Sequence, residues 1–384
     1  MREMERRQFL KAAAAGLAAM PVAMSGVSAF AGQSRWPGLA DAIVINALGG
    51  VSDPNKRGQQ GRDTMELGER AIKDALASGT TAVNMTIGYV DGPMEPFEYS
   101  VQTIARCNDM IKRNPEYLLK VESVADILAA KQAGKIGIIQ GFQNAAMMGD
   151  KAERVDIFAG LGVKIIQLTY NIANQIGDGS MAPENRGLSE FGRDVVARLN
   201  ATNTLVDLSH SGEQTCLDAI RISDGPISIT HSGCRALSNV PRNKTDEELR
   251  LLADKGGVVG IYFMPFLKED SFPNTMDVVR HIEHAVNVCG EDHVGIGTDG
   301  GTTKIDDMQA FHAMVDKEIA SRQAAGISAK GEKMGVVPFV EDLQGPDQFQ
   351  KIADILYANG HSSARIEKIL GKNFVRLMSD VWGA

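Results

Sequence analysis

Cysteine is scarce in this chain: four residues in 384, at positions 107, 216, 234 and 289, with no C-x-x-C pair among them. That spacing excludes a cysteine-based zinc ribbon and a dithiol redox motif, and it predicts buried free thiols. Aromatic residues make up only 5%, no extended basic block occurs, and Lys+Arg 40 against Asp+Glu 48 leaves a net charge of −8. Nucleic acid is therefore excluded as the main partner. No G-x-G-x-x-G follows a strand-like run, and no low-complexity stretch breaks the sequence. With 43% hydrophobic and 23% charged residues the composition is that of an ordinary globular chain.

The N-terminus differs from the rest. Arg6-Arg7-Gln8-Phe9-Leu10-Lys11 precedes an Ala-rich stretch with Gly, Ser and one Pro, which ends in the A-x-A sequence Ala29-Phe30-Ala31. The segment resembles a twin-arginine export signal and is too weakly apolar for a membrane anchor. It implies cleavage after residue 31, a mature domain of residues 32–384, transient engagement of the twin-arginine translocon, and a periplasmic or extracellular location. That route carries folded proteins and suits one that acquires a metal before export.

From residue 42 onward one pattern repeats. Short β-branched apolar runs occur at 42–47 (AIVINA), 80–87 (TTAVNMTI), 136–141 (IGIIQG), 163–170 (VKIIQLTY), 204–210 (TLVDLSH), 226–231 (PISITH), 257–264 (GVVGIYFM) and 293–299 (HVGIGTD). Their near-continuous apolar character is that of strands buried on both faces. Amphipathic helical stretches lie between them at 64–78, 189–201, 245–255 and 274–288. Ser189 and Thr245 stand as caps, and Glu248 completes a capping box with Thr245. Eight parallel strands alternating with helices predict a single-domain (β/α)8 TIM barrel. A doubly wound open sheet is the alternative, weakened because the first strand runs into Asn46-Ala47-Leu48-Gly49-Gly50 and not into a phosphate-binding turn.

In a barrel the carboxyl ends of the strands form the working face. Here they carry Asn46, Thr86, Gln140, Tyr170-Asn171, His210, His231, Phe263 and Asp299. His210 and His231 end consecutive strands, whose tips lie roughly 5 Å apart, so their imidazoles can share one ion. Asp299, before two glycines, is a candidate third ligand; two His, one carboxylate and an open position make a catalytic zinc arrangement. His281, His284, His293, His312 and His361 read as packing or surface residues. The long polar segment 171–187 is either a wall or lid of the pocket or an ordinary surface excursion. Arg242, eleven residues after His231, is placed to pair with a substrate carboxylate.

Gly187-Leu188-Ser189-Glu190-Phe191-Gly192-Arg193, Leu205-Val206-Asp207-Leu208-Ser209-His210, Thr230-His231-Ser232, Pro241-Arg242-Asn243 and Asp292-His293-Val294-Gly295-Ile296-Gly297-Thr298-Asp299 together resemble the membrane (renal) dipeptidase family, zinc-dependent barrels of the amidohydrolase type. The resemblance implies a binuclear zinc site that cleaves dipeptides. In it His210 and His231 match the histidines of one zinc, Asp299 the acidic residue of the last strand, and Arg242 the arginine that takes the dipeptide carboxylate.

The chain also departs from that pattern. Asn46-Ala47-Leu48 stands where the family has His-x-Asp. Gln140 replaces the bridging Glu, Leu168-Thr169-Tyr170-Asn171 replaces Leu-Thr-His-Asn, and Asp299-Gly300-Gly301-Thr302 replaces Asp-Phe-Asp-Gly. One zinc rather than two is therefore expected, on His210, His231 and Asp299. Asp299 is expected as general base, Tyr170 as oxyanion donor, and Arg242, Asn171 and Gln140 as substrate-binding residues. The predicted activity is hydrolysis of a dipeptide or similar small amide. The alternative is a catalytically degenerate barrel that binds or matures a peptide-derived metabolite. Residues 302–337 read as an insertion whose helix, near 307–325, either covers the pocket or serves a homodimer contact.

Overall fold

The computed structural model describes residues 35–56, 65–324 and 333–383; the signal-like segment 1–31 lies outside the described residues. Nine parallel strands form one sheet: β1 Val44–Gly49, β2 Thr80–Thr86, β3 Leu118–Val121, β4 Ile136–Phe142, β5 Ile165–Gln167, β6 Leu205–Asp207, β7 Ser228–Ser232, β8 Val258–Ile261 and β9 Val294–Ile296. Eight of them pair in the order β1-β2-β4-β5-β6-β7-β8-β9. The two ends of this order are laced together. The Asp299 N–H donates to Leu48 O at 2.9 Å and the Gly50 N–H to Gly300 O at 3.2 Å. The result is a nearly closed parallel barrel with alternating helices, as the repeating pattern predicts.

The strand β3 was not expected. It pairs Leu118–Val121 with Ile136–Ile139 along the lower part of β4, whose other edge holds β2. Four residues that include Lys120 are too few and too polar to stand out as an apolar run.

The two predicted caps hold, whereas the helix expected over 64–78 begins only at Glu69. Ser189 accepts from the Gly192 N–H, and Thr245 with Glu248 forms the reciprocal capping box. Ile45, Ala82, Ile139, Ile165, Leu205 and Val258 form one interior cluster with Phe374, Leu377, Met378 and Trp382 of the C-terminal helix Asn373–Trp382. Arg376 of that helix donates to Gly256 O and Asp292 O, just before β8 and β9. The C-terminal helix thus plugs the amino end of the barrel and leaves the carboxyl end for chemistry. All four cysteines are buried and free. Among the described residues no helix is long and apolar enough to cross a membrane.

Candidate active site

His210 and His231 meet at the carboxyl ends of β6 and β7. Their Nε2 atoms are 2.9 Å apart, and both residues are buried. Each ring is held from behind. His210 Nδ1 donates to Asn171 Oδ1 at 2.7 Å. The Thr230 hydroxyl donates to Asp207 Oδ2 at 2.8 Å, so it accepts from His231 Nδ1 at 2.9 Å. Asp207 also accepts from the Ser209 hydroxyl at 2.7 Å and from the Thr230 N–H at 2.8 Å. Both Nδ1 atoms therefore carry protons, and both Nε2 lone pairs face each other.

Two opposed lone pairs at 2.9 Å repel unless a cation lies between them. An added proton that would make the pair cationic is disfavoured. Burial, then the nearby charges of Arg242 and Lys244, push both imidazoles well below their usual pKa. A metal ion gains from both lone pairs at once, and oriented imidazoles with hydrogen-bonded Nδ1 atoms are its usual ligands. The donor set stops at two. Among the described residues no group of three His, Cys, Asp or Glu is gathered to hold an ion. The structure brings the two histidines together at this point, and Asp299 stands on an adjoining wall of the same end of the barrel.

Asp299 sits at the end of β9 on the wall of an adjoining cavity. Its φ of +57° is left-handed, a conformation that costs a non-glycine residue energy and is held here by the barrel seam. Burial raises its carboxyl to a pKa of about 6, opposed by Arg242. Arg242 is itself buried, donates to Ser209 O, and lies 5.6 Å above the Tyr262 ring. Tyr170 stacks on His210 with centroids 4.3 Å apart; burial pushes its phenol up to about 12, so it is a hydrogen-bond donor at neutral pH. His210, His231, Tyr170, Asn171, Arg242 and Asp299 thus occupy one end of the barrel.

Segment 171–187 is a fastened wall. The Ser180 N–H donates to His210 O and the Met181 N–H to Asn171 O, both at 2.7 Å. Asp178 accepts from the Arg186 N–H and guanidinium.

Gln140, expected among the substrate-binding residues, is fully buried, and its amide donates at 2.9 Å to Asn108, on the flanking helix Pro96–Arg113. It faces the helix layer. Asn46 is likewise structural: it accepts from the Thr298 N–H and donates to the Thr298 hydroxyl, both at 2.9 Å, across the seam.

Sequence reasoning missed Asp207 and Thr230 as the groups that orient His231. The available signal was an aspartate inside the apolar run at 204–208. It also missed Lys244, which is buried and donates to Ser211 O at 2.7 Å and to Cys216 Sγ at 3.0 Å, with Glu248 at 3.5 Å. A lysine in a polar loop carries no signal of burial.

The geometry agrees with comparisons to known proteins. The profile of the membrane dipeptidase family (peptidase family M19) matches residues 82–330. A solved amidohydrolase from Pseudomonas aeruginosa is 33% identical, with a TM-score of 0.74 over 90% of this chain and 98% of its own. The dipeptidase tcpJ of Claviceps purpurea is 28% identical over 67% of this chain; the chain spans 53% of that protein's length. A metallopeptidase from Rhodobacter sphaeroides, solved with a phosphinate mimic of L-Ala-D-Ala, shares the fold at 19% identity, with a TM-score of 0.69 over 89% of this chain and all of its own.

Proposed function

The chain belongs to the membrane dipeptidase family, and on that premise we propose that it is a hydrolase of dipeptides or dipeptide-like amides working with one metal ion, best zinc, held by His210 and His231. One observation carries this reading: the two Nε2 lone pairs oppose each other at 2.9 Å, with both tautomers fixed from behind. When bound, the ion supplies an acidified water and polarises the scissile carbonyl. The chain's own residues do the rest. Arg242, with one nitrogen spent on Ser209 O, offers its remaining N–H groups to the substrate carboxylate. Asp299 takes a proton from the attacking water and returns it to the leaving amine. Tyr170, protonated at neutral pH, donates to the oxyanion, and Asn171 keeps His210 in its productive tautomer. The export-like N-terminus supports action outside the cytoplasm.

The test is metal analysis of protein purified without chelator, with turnover on a dipeptide panel. One equivalent or less of zinc, lost in His231→Ala together with hydrolysis, is the expected result. Two equivalents, or turnover that persists in His231→Ala, refutes the reading. The missing third ligand favours one rival: a barrel that has kept the family's scaffold and arginine but only binds its peptide-derived ligand. Protein that takes up no added zinc, hydrolyses nothing and still binds dipeptides establishes that rival.

A further inference from the structure

The cavity beside Asp299 has no role in the scheme above. It measures about 190 Å³, and Phe263, Ile305, Phe311, Phe339 and Val340 line it, with Asp299 in its wall. At roughly 30 Å³ per water that is room for about six waters, or one large side chain. Four of these residues follow β9, two of them, Ile305 and Phe311, within the insertion 302–337, and the wall is built to keep its shape. Ile305, Phe311, Val315, Ile319 and Val337 form a small core of their own. The Val340 N–H donates to Phe263 O at 3.0 Å, and Gln348 reaches Gly301 O.

We propose that this cavity is the side-chain pocket for the N-terminal residue of the substrate, and that it selects a bulky apolar side chain such as Leu or Phe. The proposal rests on the hydrolase reading and narrows its substrate class. Its direction follows from the charges. Arg242, on the β7 side, takes the C-terminal carboxylate, and Asp299 stands at the scissile bond. The cavity lies between Asp299 and the helix Met308–Ala324, which contributes Phe311 to its lining, so a substrate anchored at Arg242 with its scissile bond at Asp299 would meet it with its acyl residue. The rings of Phe263, Phe311 and Phe339 with Ile305 and Val340 make most of the lining apolar and reward apolar contact, while Ser52, Thr303, Gln344 and Gln348 supply a polar minority.

Two measurements separate the pocket from the chemistry. Isothermal titration compares L-phenylalaninamide with glycinamide, and kcat/KM compares Phe-Gly with Gly-Gly. Each is run on the full protein and on two cavity-filling variants from opposite walls, Phe311→Trp and Val340→Phe, checked for folding by circular dichroism. The expected result is at least a tenfold preference for the phenylalanyl compounds in both measurements, which collapses in whichever variant folds. Equal binding of the two amides, or a preference that survives filling, overturns the pocket. A binding preference without hydrolysis of any dipeptide upholds the pocket and overturns the hydrolase reading. Hydrolysis without preference does the reverse.

Discussion

Replacing Asp299 with Asn should move activity and stability in opposite directions. The substitution keeps size and shape, and Asn tolerates the left-handed φ of +57° as well as Asp does. What it removes is a carboxylate that burial has lifted to a pKa of about 6. As general base the ionised form is the active one, so wild-type kcat/KM should rise about tenfold per pH unit up to about 6 and then level. In Asp299→Asn that limb should vanish and the plateau fall by about 10²–10⁴-fold, roughly 3–5 kcal/mol of barrier. The sign for stability is reversed. A carboxyl whose folded pKa lies above its unfolded value stabilises the fold below the unfolded pKa, about 4, and that contribution is lost as pH rises through about 6. A shift of about two units corresponds to at most about 2–3 kcal/mol, less here because the side chain is partly solvated. The Asn variant should therefore be more stable than wild type at about pH 7.5 and gain little at about pH 4.5. Dipeptide hydrolysis across pH and urea unfolding at those two values read both effects. A variant that keeps its kcat/KM, or that loses stability at pH 7.5, refutes the assignment.

Arg242→Gln removes the charge that holds Asp299 down, so any residual activity should have its acidic limb at higher pH, along with a raised KM for substrates bearing a free carboxylate. Thr230→Val deprives His231 Nδ1 of its acceptor and Asp207 of a donor; zinc affinity, read by competition with a chromophoric chelator, should fall about 10–100-fold. Lys244→Met leaves Glu248 buried without its partner and should cost about 3–5 kcal/mol in urea unfolding, with part of the loss recovered in the double variant Lys244→Met/Glu248→Gln. Gly297→Ala would place a Cβ 2.0 Å from Thr230 O, so it should lower both the melting temperature and metal uptake, because that carbonyl adjoins His231.

The barrel was legible because its signal is repetitive. Eight apolar runs at barrel spacing point to one architecture even where individual ends shift, as in β6, which spans only Leu205–Asp207 of the run at 204–210. The strand β3 escaped because it is only four residues long and buries only Leu118 and Val121. It lies beside the lower half of β4, and Lys120 breaks its apolar pattern. A helix cap such as Thr245 with Glu248 was readable because the reciprocal bonds are local in sequence, whereas the burial of Lys244 one residue earlier depends on Ser211, Cys216 and Glu248 arriving around it.

The site was legible in which residues gather at the rim, and less so in how each of them is turned. Position along a strand says which residues reach the rim, but not to which side each side chain turns. Gln140 reaches the same end as His210 and turns outward to Asn108. Asn46 also reaches the rim, and its amide is occupied in closing β1 against β9. Behind His231 the chain keeps an aspartate: Asp207, buried, raised in pKa by that burial and held by Ser209 and Thr230. Through the Thr230 hydroxyl it fixes the orientation of His231. Asp207→Asn should accordingly abolish zinc binding more completely than Asp299→Asn, a ranking that metal titration of the two variants decides.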